Sequence, residues 1–205
     1  MRYWSTEHSL PHPWPSVAAG YWWRYPNPHS AHVFSVDTLE VRLQGDLLYT
    51  RRLVLKTNSL PAWGKHFFSD AKVAVIEECI VDRRAPSLTW YTRNIGLTPF
   101  MATVERVTLT PSTTPSLTGA LKECWIDSSI LGFRSAIKKF GVERYKKNCG
   151  PATAGFCSVL ARHADGSCPS NRAGGGGAIS QAVRAADLET INLSGRGGIV
   201  LATEN

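Results

Sequence analysis

The segment RYPNPHSAHV, residues 24–33, forces a reversal of the chain between two different kinds of element. Upstream, WPSVAAGYWW reads as a short helix over residues 14–23, with Pro15 in its first turn. Val17, Tyr21 and Arg24 fall at i, i+4 and i+7, so Arg24 lies on the stripe that faces inward. Pro26 and Pro28 cannot continue a helix and push Tyr25 and Asn27 toward extended backbone, so the chain turns there. Downstream, a strand over residues 32–43 puts His32 on one face with Phe34 and Val36. Both polar groups point at the apolar interior, and neither segment offers an obvious carboxylate to meet them. Buried charge without a partner is costly, which makes an anionic ligand a candidate occupant. Read by themselves, the two residues also fit an arginine complementing a helix C-terminus and a purely structural histidine.

The rest of the chain alternates in the same legible way. A first strand covers residues 2–10. After the strand at 32–43, further strands are expected at 47–57, 71–81, 87–95, 100–111 and 117–128, each bounded by Pro, Gly or Ser/Thr clusters. Gln44-Gly45-Asp46 joins the first two of these as a hairpin, and the repeated short connections imply an antiparallel meander. Residues 129–163 read as one long helix with Ile130, Phe133, Ile137 and Phe140 on its apolar face. Continued by i+4 and i+8, that face turns polar at Arg144 and Asn148. The change suits either a polar recess in a cavity or a solvent-exposed helix end. Pro151, preceded by Gly150, is expected to break the helix near Cys149, with resumption before Phe156. The expected fold is α+β: a seven-stranded curved antiparallel sheet gripping a long C-terminal helix, with a short N-terminal helix.

Charge and composition narrow the function classes. With 205 residues, 43% hydrophobic and 19% charged, the chain holds one domain of ordinary size, placed at residues 1–163. The remainder, residues 164–205, is Gly-rich and reads as a flexible tail, with residues 181–191 as a weak helix. A formal charge of +7 favours anionic partners, phospholipid or nucleic acid. No apolar stretch approaches the ~20 residues that span a bilayer. The N-terminal segment has neither an apolar signal core nor an Arg-rich amphipathic pattern, so no cleaved presequence is expected. The five cysteines show no metal spacing and read as free, mostly buried thiols. No nucleophile elbow or phosphate loop is present, and an enzyme, a cofactor and a metal site are not expected.

RYPNPHSAHV, RRLVLKTNSLPAWGKHFF (residues 51–68), EECIVD (77–82), YTRNI (91–95), VER (104–106) and SSILGFRSAIKKFGVERYKKN (128–148) together resemble the PRELI-like family, in family order, over residues 1–163. The resemblance implies a lipid carrier of the kind built by START-type and phosphatidylinositol transfer proteins. It implies phosphate recognition by Arg24, His32, Lys56, Arg144 and Asn148. Pro151 stands where relatives carry a further basic residue, so one contact is absent. It further implies a lid at Leu60, Pro61, Trp63, Lys65, Phe67 and Phe68, whose aromatics and cations suit an anionic membrane surface. Without the resemblance, Lys56 is equally a surface lysine of its strand, and the lid aromatics could equally plug the core. By the same likeness, the expected cargo is phosphatidic acid, with phosphatidylserine as the alternative. The expected setting is the mitochondrial intermembrane space, soluble or peripheral, in support of cardiolipin synthesis. A small helical-hairpin protein with twin Cys-x9-Cys motifs is the expected partner. Two readings from other classes are a basic nucleic-acid-binding module, which leaves Arg24 and His32 unexplained, and a membrane-bound scaffold that transfers nothing.

Overall fold

The computed structural model describes residues 1–57 and 72–164. β1 (Arg2–Leu10) leads into α1 (Trp14–Gly20) and a single 3-10 turn (Tyr21–Trp23). There follow β2 (Val33–Gln44), β3 (Leu47–Thr57), β4 (Lys72–Asp82), β5 (Ser87–Asn94), β6 (Ala102–Pro111), β7 (Thr118–Asp127) and α2 (Arg134–Ala164). The strands form one seven-stranded antiparallel sheet in the order β1-β7-β6-β5-β4-β3-β2, so the meander is continuous and the first strand adds beside the last. The sheet curves round α2, which lies against β7, β1 and α1. This is the expected architecture. The lid positions Leu60, Pro61, Trp63, Lys65, Phe67 and Phe68 lie outside the described residues, as does the chain from residue 165 onward.

Period-two alternation decides which side chains meet the helix. On β4, Val73, Val75, Glu77, Cys79 and Val81 are buried, and on β3 Leu48, Thr50, Arg52 and Val54 are. One end of the sheet is solid: Leu10, Trp14, Val17, Tyr21, Leu48, Val81, Leu88, Leu109, Phe156 and Leu160 close into one cluster. Full burial of each such side chain contributes about 1.5–3 kcal/mol. The other end is filled differently, by two smaller clusters round Val54, Val73 and Val75 and round Cys124, Ile126 and Val142, and it stays hollow between them.

Two glycines set how closely α2 approaches. A Cβ on Gly141 would come 2.8 Å from Ile126 Cγ2 and 2.9 Å from Met101 Sδ. One on Gly155 would come 3.1 Å from His29 Cβ and collide with Asn27. Asn27 in turn builds the double-proline turn: Nδ2 donates to the Arg24 carbonyl at 2.6 Å, and Oδ1 accepts from the His29 amide at 2.9 Å.

Three expectations are corrected. His32 precedes β2 instead of opening it, and register shifts between Val33 and Ser35 and between Thr38 and Glu40 break the simple alternation. Phe34 therefore faces solvent at 57% exposure, while Val33 and Val36 pack inward. The long helix starts at Arg134, because Gly132 adopts φ +78 and ends helical geometry before it. Ile130 and Phe133 are consequently exposed, and Ile137, Gly141, Val142, Gly155, Phe156, Val159 and Leu160 form the buried face. Pro151 sits within α2 without interrupting it. A proline removes one helical N–H at a cost of about 3 kcal/mol, and the turns packed on each side, through Val142 before it and Phe156 and Leu160 after it, offset that.

Candidate functional site

The hollow end holds a cavity in two lobes. An outer lobe encloses about 1000 Å³ and an inner lobe about 830 Å³, open solvent at their mouths included. Lys56, Val75, Thr92 and Glu105 line both, so these four side chains mark the junction. His32, Lys56, Arg144 and Asn148 line the outer lobe, among apolar walls that include Val73, Leu97, Phe100, Ile126 and Phe140. Arg24 lines the inner lobe beside Tyr25, Trp90 and Phe156. All five residues singled out in the sequence thus reach one bipartite cavity, carried there by the double-proline turn, β3 and the hollow-end half of α2.

Arg24 is not without a counter-ion, contrary to the expectation from its own segment. Its Nη2 pairs with Glu77 of β4, whose other oxygen accepts from Arg52 Nε at 2.9 Å and from Tyr21 Oη at 2.6 Å. The Arg24 guanidinium also stacks 4.4 Å from the Tyr21 ring and 5.1 Å from Trp90. Two cations share one carboxylate, and Arg24 Nη1 is buried with no hydrogen-bond partner. Burial pushes the Tyr21 phenol up to about 12, so it stays a donor. Burial would also raise the Tyr25 phenol, but Arg24 and Lys56 outweigh it and leave that group below its ordinary value.

Two further polar residues face the cavity that sequence reasoning passed over. Lys122 of β7 is buried, its Nζ donating to Thr153 Oγ1 at 2.7 Å and lying 3.5 Å from the Cys149 carbonyl. The alternation Ala120, Lys122, Cys124, Ile126 already places it on the inward face. Glu105 of β6 accepts from Tyr145 Oη at 2.6 Å and from Thr92 Oγ1 at 3.3 Å, so the cavity carries a carboxylate among its cations.

Three histidines give the fold a pH response. Burial, then Lys122, holds His8 below its ordinary 6.5, and burial, then Lys56 and Arg144, holds His32 below it. Burial, then Arg162, does the same to His163, which stacks on Trp23 at 4.5 Å. The unfolded chain therefore binds more protons than the folded one just below pH 6.5. The stability these groups allow is complete above pH 6.5 and is lost as pH falls toward their lowered values. The melting temperature should fall between pH 7.5 and pH 5.5; a rise over that interval would mean the histidines are paired to acids instead.

The hollow end is also where alternate connections of the meander meet. The antiparallel order brings the paired ends of β3 and β4 at Thr57 and Lys72, the β5–β6 loop and the β7–α2 turn to one edge. Ser129 ties the last two together, its amide and hydroxyl donating to the Pro99 carbonyl at 3.0 and 2.8 Å. Here Leu131 is 85% exposed, and Ile95, Ile130 and Phe133 also reach solvent, followed by exposed Arg134 and Lys139. Among the described residues, no helix is long and apolar enough to cross a membrane, and no cluster of His, Cys, Asp or Glu could hold a metal ion.

A model of the PRELI-like family matches residues 15–166. PRELI domain-containing protein 1, mitochondrial, of Gallus gallus is 40% identical over 157 residues, which is 73% of this chain and 72% of that protein. Protein UPS1, mitochondrial, of Saccharomyces cerevisiae is 30% identical over 156 residues, 75% of this chain and 89% of that one. Among solved structures, TTHA0849 from Thermus thermophilus shares the fold with a TM-score of 0.55 at 14% identity, covering 79% of this chain and 99% of that chain.

Proposed function

The chain belongs to the PRELI-like family, and we propose that it is a carrier that moves phosphatidic acid between the mitochondrial outer and inner membranes in support of cardiolipin synthesis. The mitochondrial names of its relatives support the compartment, and the likeness to the family supports the intermembrane space and a twin Cys-x9-Cys helical-hairpin partner. The observation that carries the reading is the cavity itself, in which Arg24, Lys56, Lys122 and Arg144 converge between apolar walls.

Energetics favour a carrier that opens only on a bilayer. Two acyl chains carry on the order of 30 methylenes, and at about 0.8 kcal/mol each their exposure to water would cost roughly 24 kcal/mol. Transfer then needs a sheltered apolar path and no covalent step. Arginine offers bidentate hydrogen bonds to a phosphate and lysine a point charge, so the polar side of the cavity holds the head group. The loop-bearing edge, apolar at Leu131 and Phe133 and basic at Arg134 and Lys139, suits an anionic bilayer surface. Phosphatidylserine is the second reading, favoured by Glu105, whose carboxylate could accept a serine ammonium.

Transfer between fluorescent donor and acceptor vesicles tests this. Purified protein should move phosphatidic acid faster than phosphatidylcholine, with phosphatidylserine run alongside. Faster phosphatidylserine would select the second reading, and equal rates for all three would remove the head-group argument. Leu131→Glu should slow transfer severalfold by weakening vesicle binding, at unchanged melting temperature because the side chain is 85% exposed.

A further inference from the structure

We propose that Lys122, with Thr153 and His8 beside it, forms a second anion-binding position in the inner lobe that makes the cavity prefer a phosphomonoester to a phosphodiester. The inference rests on the lipid-carrier reading and names which chemical feature of the head group the inner lobe recognises.

Charge in the inner lobe is unbalanced. Lys122 is 8% exposed, and the partners of its Nζ are neutral oxygens: Thr153 Oγ1 at 2.7 Å and the Cys149 carbonyl at 3.5 Å. Among the described residues no carboxylate lies within 4.0 Å of it. A buried ammonium held by neutral acceptors alone is an expensive arrangement, and burial accordingly lowers its proton affinity. Across the same lobe, Arg24 is 7% exposed, and its Nη1 has no hydrogen-bond partner. Glu77 cannot neutralise this side fully, because it serves Arg52 as well as Arg24. Glu105, the other carboxylate on the lobe, acts on Lys122 through space and raises its proton affinity, but its hydrogen bonds go to Tyr145 and Thr92 and not to the ammonium, and burial still outweighs it.

Two cationic residues from different elements therefore line one lobe, Lys122 bonded only to neutral oxygens and Arg24 with Nη1 unbonded. A phosphomonoester carries close to two negative charges near neutral pH and offers three strong acceptor oxygens. A phosphodiester carries one charge and fewer free oxygens. Arg24 and Lys56 can satisfy the first charge, and Lys122 meets the second. Thr153 fixes the Nζ, and His8, whose Nε2 lies 3.5 Å from the Thr153 hydroxyl, completes the polar side of the lobe.

The test compares the full chain with Lys122→Met and Lys122→Arg, using vesicles that contain either phosphatidic acid or phosphatidylglycerol so that both surfaces are anionic. Lys122→Met should lower phosphatidic acid transfer about tenfold or more while leaving phosphatidylglycerol transfer within about twofold. Lys122→Arg should restore the preference. An unchanged ratio of the two rates, or an equal fall in both, overturns the assignment. If Lys122→Met does not fold, Thr153→Val, which keeps the charge and removes its anchor, should narrow the ratio severalfold; no narrowing overturns it equally. A wild-type protein that moves neither lipid removes the carrier reading alone. Inorganic phosphate then decides Lys122 by itself: it should raise the melting temperature of the wild type and not of the variant, and an equal rise in both refutes the position.

Discussion

Glu77→Gln is expected to destabilise the protein by about 3–5 kcal/mol, the loss typical when one partner of a buried ion pair is removed and the other charges stay behind. Glu77 is 1% exposed and receives Arg24, Arg52 and Tyr21 at once. Neutralising it leaves two guanidinium groups inside the sheet with no carboxylate between them. Against a typical total of about 5–15 kcal/mol this is enough to unfold a substantial share of molecules at body temperature. Urea denaturation of the variant and the wild type measures it. A loss below about 1 kcal/mol would show that water reaches the cluster and that the cations need no counter-ion. The same geometry changes what Arg24 variants report: Arg24→Glu would set two carboxylates against each other and remove the fold along with any binding. Arg24 holds the sheet through Nη2, and its Nη1 is buried without a hydrogen-bond partner beside the inner lobe.

The order of elements and the inward stripe Val17, Tyr21, Arg24 were legible because helical and strand periods leave different marks on which positions are apolar. What escaped was relational. Glu77 lies 53 residues from Arg24, so nothing local to the double-proline turn announces the pair. The alternation that buries Val73, Val75 and Cys79 carries Glu77 inward too, and the same logic places Lys122. A charged residue within an alternating buried series was the available signal. The β2 register shifts had no such mark, because nothing in the series from Val33 to Glu40 distinguishes a bulge from a continuous strand. Those shifts are why Phe34 emerged on the solvent side. The late start of α2 was readable from Gly132, which lies between Ile130 and Phe133, two residues that read as part of the helix face and are exposed instead.

Lys56→Glu should give the largest loss of transfer at a nearly unchanged melting temperature. Lys56 lines both lobes at their junction, on the inward face of β3 two residues beyond Val54. Among the described residues no ion pair holds it, and its partial exposure means that the fold does not depend on its charge. A head group passing from the outer lobe toward Arg24 passes this side chain. The substitution removes a charge-assisted hydrogen bond and adds a carboxylate facing Glu105, which repels the phosphate; together these amount to a rate loss of about one to two orders of magnitude. Lys56→Gln, which removes the charge without reversing it, should fall between the wild type and Lys56→Glu. The graded series separates electrostatics from shape, because the two variants are of similar size and differ in charge. Equal transfer by all three proteins would mean that the phosphate never crosses the junction, and the head group would then belong in the outer lobe with His32, Arg144 and Asn148 alone.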